Sequence, residues 1–232
     1  MTMVFIISAP SGSGKSTLVN ELRRLVSNLE FSISYTTRAP RGSEQNGREY
    51  FFISREEFER MIAQDEFLEH AVVFGKDYYG TARRFLREAE LRGSDLLLDI
   101  DVQGAAQIKR KIPDAVSIFV LPPDRKSLEK RLRNRGQDSN EVIARRLDTA
   151  GREIENYNKY DYILVNDRLD DATDELRAIV LSERLRRASE PLAEEDRRRL
   201  QLAESCRLQN AREKIRRILD SFREPVRSEP GS

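Results

Sequence analysis

The sequence predicts an α/β fold in which a parallel sheet, flanked by helices, carries a phosphate-binding loop. Two observations predict it. Short apolar runs at Val4–Ile7, Ser94–Ile100, Val116–Val120 and Tyr162–Val165 alternate with longer helix-patterned stretches. Strands alternating with helices are the mark of a parallel sheet covered on its faces. Directly after the first run stands "APSGSGKST", a glycine-rich segment that opens a helix.

The elements follow in order. Val4 to Ile7 reads as a buried strand, and the helix behind the glycine-rich segment extends to about Val26. Phe31 to Thr36 alternates as a strand, and "TRAPRGSEQNGRE" is a polar, turn-rich loop. Tyr50 to Ile53 is a strand, and Ser54 with Glu57 makes a capping box for a short helix. Phe67 to Phe74 reads as extended, "GKDYYG" as a turn, and Thr81 to Leu91 as helix. The unbroken apolar run of "SDLLLDI" suits a strand buried on both faces. A helix and the strand Val116–Val120 follow. Asp124 to Tyr157 is charged and helical, broken near "NRGQDS". Tyr162–Val165 is the last strand, with a helix from about Asp170. From Ser189 the chain is charged, helix-favouring and strandless, and "REPVRSEPGS" reads as a disordered end.

Composition limits the partners. Forty-one basic and 40 acidic residues nearly cancel, so no global field points to nucleic acid or a membrane surface. Cys206 is the single cysteine, which fits a reducing compartment. The opening "MTMVFIISAP" is too short an apolar run for a signal sequence and lacks its basic head. No stretch approaches the ~20 apolar residues of a membrane span. The expectation is a cytoplasmic protein.

Ser11-Gly12-Ser13-Gly14-Lys15-Ser16-Thr17 carries the core of G-x-x-x-x-G-K-[ST], with Ala9 where the first glycine usually stands. Such glycines let main-chain N–H groups turn inward around phosphates at a helix N-terminus. Lys15 would neutralise β/γ oxygens, and the Ser16 hydroxyl would ligate Mg²⁺. Alanine at position 9 is acceptable wherever φ stays negative. A nucleoside triphosphate is therefore the expected ligand, and three outcomes compete: a GTPase switch, a motor-type ATPase and a small-molecule kinase. A GTPase would carry N-K-x-D late in the chain, where this one reads Val165-Asn166-Asp167-Arg168. A kinase needs a second pocket for an acceptor.

That pocket is suggested by Ser34, Arg38, Arg41 and Tyr50, in and beside one loop. An arginine fork suits a phosphate held bidentately, and a tyrosine hydroxyl adds a donor. Standing alone, the stretch reads sooner as a solvated loop. With "GSGKST", "TTRAPRG", "EYFF", "FLEHAVVFGKDYYGT", "LLLDIDVQGA", "RGQDSNEVIARRL" and "YILVND" in this order, however, residues 3 to 182 closely resemble guanylate kinase.

The resemblance implies a P-loop core (residues 1–32, 85–123 and 160–185), a small mixed α/β GMP-binding insert (33–84) and a helical lid (124–159). Residues 186–232 would be a charged helical extension. It implies that ATP phosphorylates GMP to GDP with Mg²⁺, the nucleotide being held at Ser11–Thr17. The GMP phosphate falls to Arg38, Arg41, Tyr50 and Tyr79, with Tyr78 the alternative to Tyr79 because the turn is one residue longer than usual. Guanine falls to Ser34, Glu69, Thr81 and Asp101. The lid arginines are Arg131, Arg135 and Arg146, and Asn166 would touch adenine or simply end a strand.

The guanine assignment has independent chemistry behind it. The Watson–Crick edge of guanine offers two donors, N1–H and the exocyclic amine, beside the acceptor O6. Ionised carboxylates only accept, so Glu69 and Asp101 match the donors, and Ser34 or Thr81 could serve O6. Adenine would set a lone pair against a carboxylate. For Glu69 the bland alternative is a surface glutamate beside His70, the only histidine, which is given no catalytic role. Asp99 and Asp101 close one apolar strand two residues apart, a spacing that puts strand side chains on one face. Asp99 is read as the acid facing the Mg²⁺ shell, through water, or else as a cap for the next helix. Arg133 and Arg145 are read as a solvated face.

Leu208, Ala211, Ile215, Ile218 and Phe222 step by 3 and 4 along the tail. They make either a helix packed on its own domain or the seam of a homo-oligomer. Two rival functions remain at this point: a catalytically silent interaction module of the same shape, and a kinase for another nucleoside monophosphate.

Overall fold

The computed structural model describes residues 2–73, 75–134, 139–188 and 193–223. Its first elements are β1 (Val4–Ser8), α1 (Lys15–Leu25), β2 (Leu29–Phe31), β3 (Tyr35–Thr36), β4 (Phe51–Phe52) and α2 (Arg55–Ala63). Then come β5 (Phe67–Val73), β6 (Asp77–Ala82), α3 (Arg83–Arg92), β7 (Asp95–Asp99), α4 (Val102–Lys111) and β8 (Val116–Leu121). The rest are α5 (Arg125–Asn134), α6 (Asn140–Ile154), a 3-10 turn (Glu155–Lys159), β9 (Tyr162–Val165), α7 (Leu169–Ala188), α8 (Glu194–Ser205) and α9 (Leu208–Arg223). The chain forms two compact units, Met1–Ser8 with Arg23–Ser117, and Ala9–Leu22 with Ile118–Ser232.

In the first unit β7 lies between β1 and β2 and pairs parallel with both, Val4 opposite Leu96 and Leu29 opposite Asp95. Leu96, Leu97 and Leu98 are consecutive and fully buried, as expected for a parallel strand covered on both faces. The same unit holds a mixed sheet in the order β4-β3-β6-β5, parallel between β3 and β4 and antiparallel elsewhere. The helix α2 seals it with Phe58 and Met61 against Phe67 and Ala82. Ser54 caps α2 by accepting from the Glu57 N–H at 3.1 Å, while the Glu57 carboxylate goes to Arg60. The α/β class, with parallel strands flanked by helices and a small mixed insert, is the one the sequence predicts.

Four local expectations change. Phe31–Thr36 is not one strand: Leu29–Phe31 pairs with β7, whereas Tyr35–Thr36 pairs with β4 and β6. A period of two says which residues share a face, not which sheet holds them. The turn in "GKDYYG" shrinks to Gly75–Lys76, because the β5–β6 ladder already starts at Val73 opposite Asp77. Thr81 therefore stands in β6 rather than in a helix, and α3 starts after Ala82. Finally, β7 stops at Asp99 and Asp101 is the N-cap of α4, accepting from the Gly104 N–H at 2.8 Å. The two aspartates thus belong to different elements, and the capping role considered for Asp99 falls to Asp101.

In the second unit β8 and β9 pair parallel, Ile118 opposite Tyr162. Leu128 and Leu132 of α5 meet Ile143, Leu147 and Ala150 of α6, with Phe222 of α9 packed on them. Ala211, Ile215 and Ile218 are buried too. Of the two readings of the tail stripe, the helix packed on its own domain is the one these contacts match. The tail is also tied to β9: Ile163 N–H donates to the Cys206 carbonyl at 2.8 Å, and Leu208 N–H to that of Asp161 at 3.2 Å. Beside this rung Glu183 accepts from Tyr162, Arg186 and Arg207. The break near "NRGQDS" and the "REPVRSEPGS" end fall largely outside the described residues. Among those described, no helix is long and apolar enough to cross a membrane.

Candidate active site

In the second unit the phosphate loop is bound from below. Gly12 and Gly14 have φ of 95° and 86°, conformations that side chains rarely adopt. Space excludes a side chain as well. A Cβ on Gly12 would stand 2.9 Å from Leu128 and Leu132, and one on Gly14 would stand 2.3 Å from the Asn166 amide. Ala9 is not among the positive-φ residues, so alanine meets no strain there. Lys15 opens α1, with Ser16 and Thr17 exposed on its first turn.

Asn166 is buried, and its Nδ2 donates to the Ser13 carbonyl at 2.7 Å. Its side-chain amide thus braces the loop. Arg131 Nη2 donates to the Asn166 carbonyl at 2.7 Å, and Arg146 Nη2 to Ser11 Oγ at 2.8 Å. Two of the three expected lid arginines therefore converge on the phosphate loop; Arg135 lies outside the described residues. Arg133 and Arg145 are exposed, as expected, Arg133 pairing with Glu129 at 2.7 Å.

In the first unit the proposed phosphate ligands cluster. Arg38 is only 8% exposed. Its Nε donates to the Tyr79 hydroxyl at 3.0 Å, and its guanidinium carbon lies 5.3 Å from the Tyr50 ring centroid. Tyr50 and Tyr79 meet edge to face at 5.7 Å. Burial, with the charge of Asp99 second, pushes the Tyr50 hydroxyl up to about 12. Tyr78, one residue earlier and so on the opposite face of β6, stacks on Phe58 and accepts from Arg55 instead. Of the two tyrosines, Tyr79 is the one beside Arg38. Arg41 is exposed on the loop, and Ser34 is half-buried.

Sequence reasoning missed Glu44. Its carboxylate takes the Arg38 fork at 2.9 and 3.0 Å and the Arg41 N–H at 2.7 Å. With Tyr79 and the Ala39 carbonyl also bound, four of the five Arg38 donors are engaged, leaving one on Nη2. The bidentate grip expected for a phosphate is made here to a carboxylate. The Arg38 hydrogen bond holds the Glu44 carboxyl below the usual range. An acid three residues after an arginine in a polar loop was the only available signal.

At the other end Glu69 is 3% exposed, far from a surface glutamate. Thr81 Oγ1 donates to Glu69 Oε1 at 2.6 Å, which commits the Thr81 proton to that carboxyl group. Burial above all, with Asp101 adding, pushes the Glu69 carboxyl up to about 7. Gly104, also unanticipated, has no side chain where a Cβ would stand 2.5 Å from Glu69 Oε2 and 3.4 Å from Asp101 Oδ1. Two carboxyl groups thus share one small space. The His70 ring lies 6.1 Å from Phe67, and burial lowers its pKa.

The described residues contain no cluster of three or more acids, histidines or cysteines fit to cage a metal. Mg²⁺ needs no such cage, because it retains water and takes much of its coordination from substrate phosphates; the Ser16 hydroxyl and the Asp99 carboxylate are each of the oxygen type it accepts.

A family model described as guanylate kinase matches residues 1–183. A guanylate kinase of Koribacter versatilis is 63% identical over 230 residues, covering 98% of each chain. That of Escherichia coli K12 is 50% identical over 185 residues, 79% of this chain and 89% of its own. The crystal structure of guanylate kinase from Anaplasma phagocytophilum superposes with a TM-score of 0.66 at 34% identity, over 78% of this chain and 86% of that one.

Proposed function

The chain belongs to the guanylate kinase family, and we propose a division of its ATP-dependent phosphorylation of GMP among the residues described above. The reaction converts ATP and GMP to ADP and GDP: an oxygen of the GMP phosphate bonds to the γ-phosphorus of ATP as the bond to the β-phosphate oxygen breaks. Charge neutralisation and positioning carry such a transfer, with little further chemistry for the protein to do.

The donor loop Ser11–Thr17 holds the triphosphate through inward N–H groups, and Lys15 neutralises its β/γ oxygens. Asn166 supports this site by bracing Ser13. Arg131 and Arg146, with Arg135, stabilise charge on the equatorial oxygens of the group in flight. Mg²⁺, when bound, neutralises phosphate charge, with Ser16 and Asp99 as its protein partners. Residues 124–159 act as the lid, excluding water that would otherwise hydrolyse ATP.

Residues 33–84 form the acceptor region, with Arg38, Arg41, Tyr50 and Tyr79 on the GMP phosphate. Glu69 and Asp101 accept from N1–H and the exocyclic amine, and Ser34 serves O6. The pair of buried Glu69 and half-buried Asp101 carries the reading, because two acceptors side by side match guanine and no other common base edge. Balanced charge and the single cysteine support a cytoplasmic enzyme on free nucleotides, with no nucleic-acid or membrane partner. Coupled ADP release with GMP, AMP, UMP and dTMP tests the proposal. Turnover should be confined to GMP. Equal turnover of AMP would overturn the base assignment, and turnover of none would favour an interaction module.

A further inference from the structure

We propose that one face of α4 sets the spacing of the two guanine-reading carboxylates, with Gln107 as its positioning residue. The proposal rests on the guanine reading of Glu69 and Asp101. These acids stand on different elements, Asp101 at the start of α4 and Glu69 within β5. Both must meet adjacent donors of one small base, so something has to hold β5 in register with α4.

β5 is the last strand of its sheet, in the order β4-β3-β6-β5. One edge pairs with β6, and among the described residues no strand lies beside the other. Along a strand, alternate residues turn their N–H and C=O toward the same edge, so Leu68 and His70 share one. Side chains of α4 occupy them. Gln107 Nε2 donates to the His70 carbonyl at 2.7 Å, and Gln107 Oε1 accepts from the His70 N–H at 3.3 Å. Lys111 Nζ donates to the Leu68 carbonyl at 2.5 Å. The carboxamide presents one donor and one acceptor to a single residue's main chain, as a neighbouring strand would.

These contacts fall on either side of Glu69. Gly104, Gln107 and Lys111 are spaced by 3 and 4, so they line one helix face. At its first position this face leaves room for the Glu69 carboxylate; at the next two it grips the backbone on both flanks of the same residue. Asp101 is held by the Gly104 N–H, at the first turn of that helix. Helix and strand cannot slide past each other without breaking the Gln107 pair and the Lys111 bond. A displacement of about 1 Å at a reading site can cost two orders of magnitude in rate.

The test uses the full chain with Gln107→Met, which keeps length and packing but removes both hydrogen bonds, and Glu69→Gln as the control. Steady-state kinetics are measured with GMP, IMP (which lacks the exocyclic amine) and ATP, with melting temperature alongside. The expectation for Gln107→Met is a KM for GMP raised roughly tenfold, a smaller GMP-to-IMP preference, and an unchanged KM for ATP. A variant with unaltered GMP kinetics and preference, while Glu69→Gln is impaired, overturns the proposal. So does a loss shared equally by GMP and ATP together with a lowered melting temperature, since that marks Gln107 as structural only. If Glu69→Gln leaves GMP kinetics intact, the guanine reading beneath the proposal is what fails.

Discussion

Replacing Gly104 with alanine separates folding from substrate reading at a single atom. The added Cβ would lie 2.5 Å from Glu69 Oε2, 3.0 Å from its Cδ and 3.4 Å from Asp101 Oδ1. Carbon–oxygen contacts begin near about 3.3 Å, so the Glu69 oxygen must withdraw by something like 0.8 Å. Gly104 lies in the first turn of α4 without a positive φ, and alanine is worth roughly 1 kcal/mol over glycine in a helix. Overpacking typically costs about 1–3 kcal/mol, and here the obstructing atom ends a side chain that can rotate. The two effects nearly offset, so the melting temperature should move by only a few degrees, at about 2–4 °C per kcal/mol. Binding has no such offset. A Glu69 carboxylate turned from its place gives up charged hydrogen bonds worth about 1.5–3 kcal/mol each. The KM for GMP should therefore rise roughly 10- to 100-fold, with that for ATP unchanged. Parallel saturation curves for GMP and ATP, with a thermal melt, decide it. A Gly104→Ala enzyme with wild-type GMP kinetics would refute the claim that this gap is part of the guanine pocket.

Glu69 also predicts a pH dependence. Its carboxyl is raised to about 7 by burial with Asp101 adding, against the opposing pull of Thr81 and Lys111. Its contribution to stability is fully present below the unfolded carboxylate range and is lost as pH rises through about 7. Guanine's donors favour the ionised form, so kcat/KM for GMP should fall as pH drops below about 7, and Glu69→Gln should flatten that limb. Glu44→Ala leaves the buried Arg38 fork without its acceptor, which should cost about 1–3 kcal/mol in urea unfolding and raise the KM for GMP but not for ATP. Asn166→Ala deprives the Ser13 carbonyl of its closest donor; the KM for ATP should rise while that for GMP holds, and equal effects on both would argue against a brace confined to the donor loop.

Signals carried within a few residues were legible in the sequence. The phosphate loop, the buried runs of β1 and β7, the Ser54 cap of α2 and the packed stripe of α9 or its seam all announce themselves through spacing. The acidic pair at 99 and 101 could be seen, but its split between a strand end and a helix cap could not. That split depends on where the β7 ladder stops, and the ladder is set by partners more than ninety positions away in the chain, as Val4 opposite Leu96 illustrates. The family resemblance named most of the site residues, yet it left open whether Tyr78 or Tyr79 lies beside Arg38. The alternation of β6 answers that.

By itself, then, the sequence determined the α/β class, the triphosphate loop and the presence of acids suited to a guanine edge, because periodicity, turn chemistry and short motifs are local. Only the tertiary structure decided what each polar group is bonded to. It turned Arg38 onto Glu44, Thr81 onto Glu69, Asn166 under the phosphate loop and Gln107 onto the open edge of β5. Each of these joins residues whose separation along the chain carries no pattern, and each follows from a buried donor or acceptor requiring a partner once water is excluded.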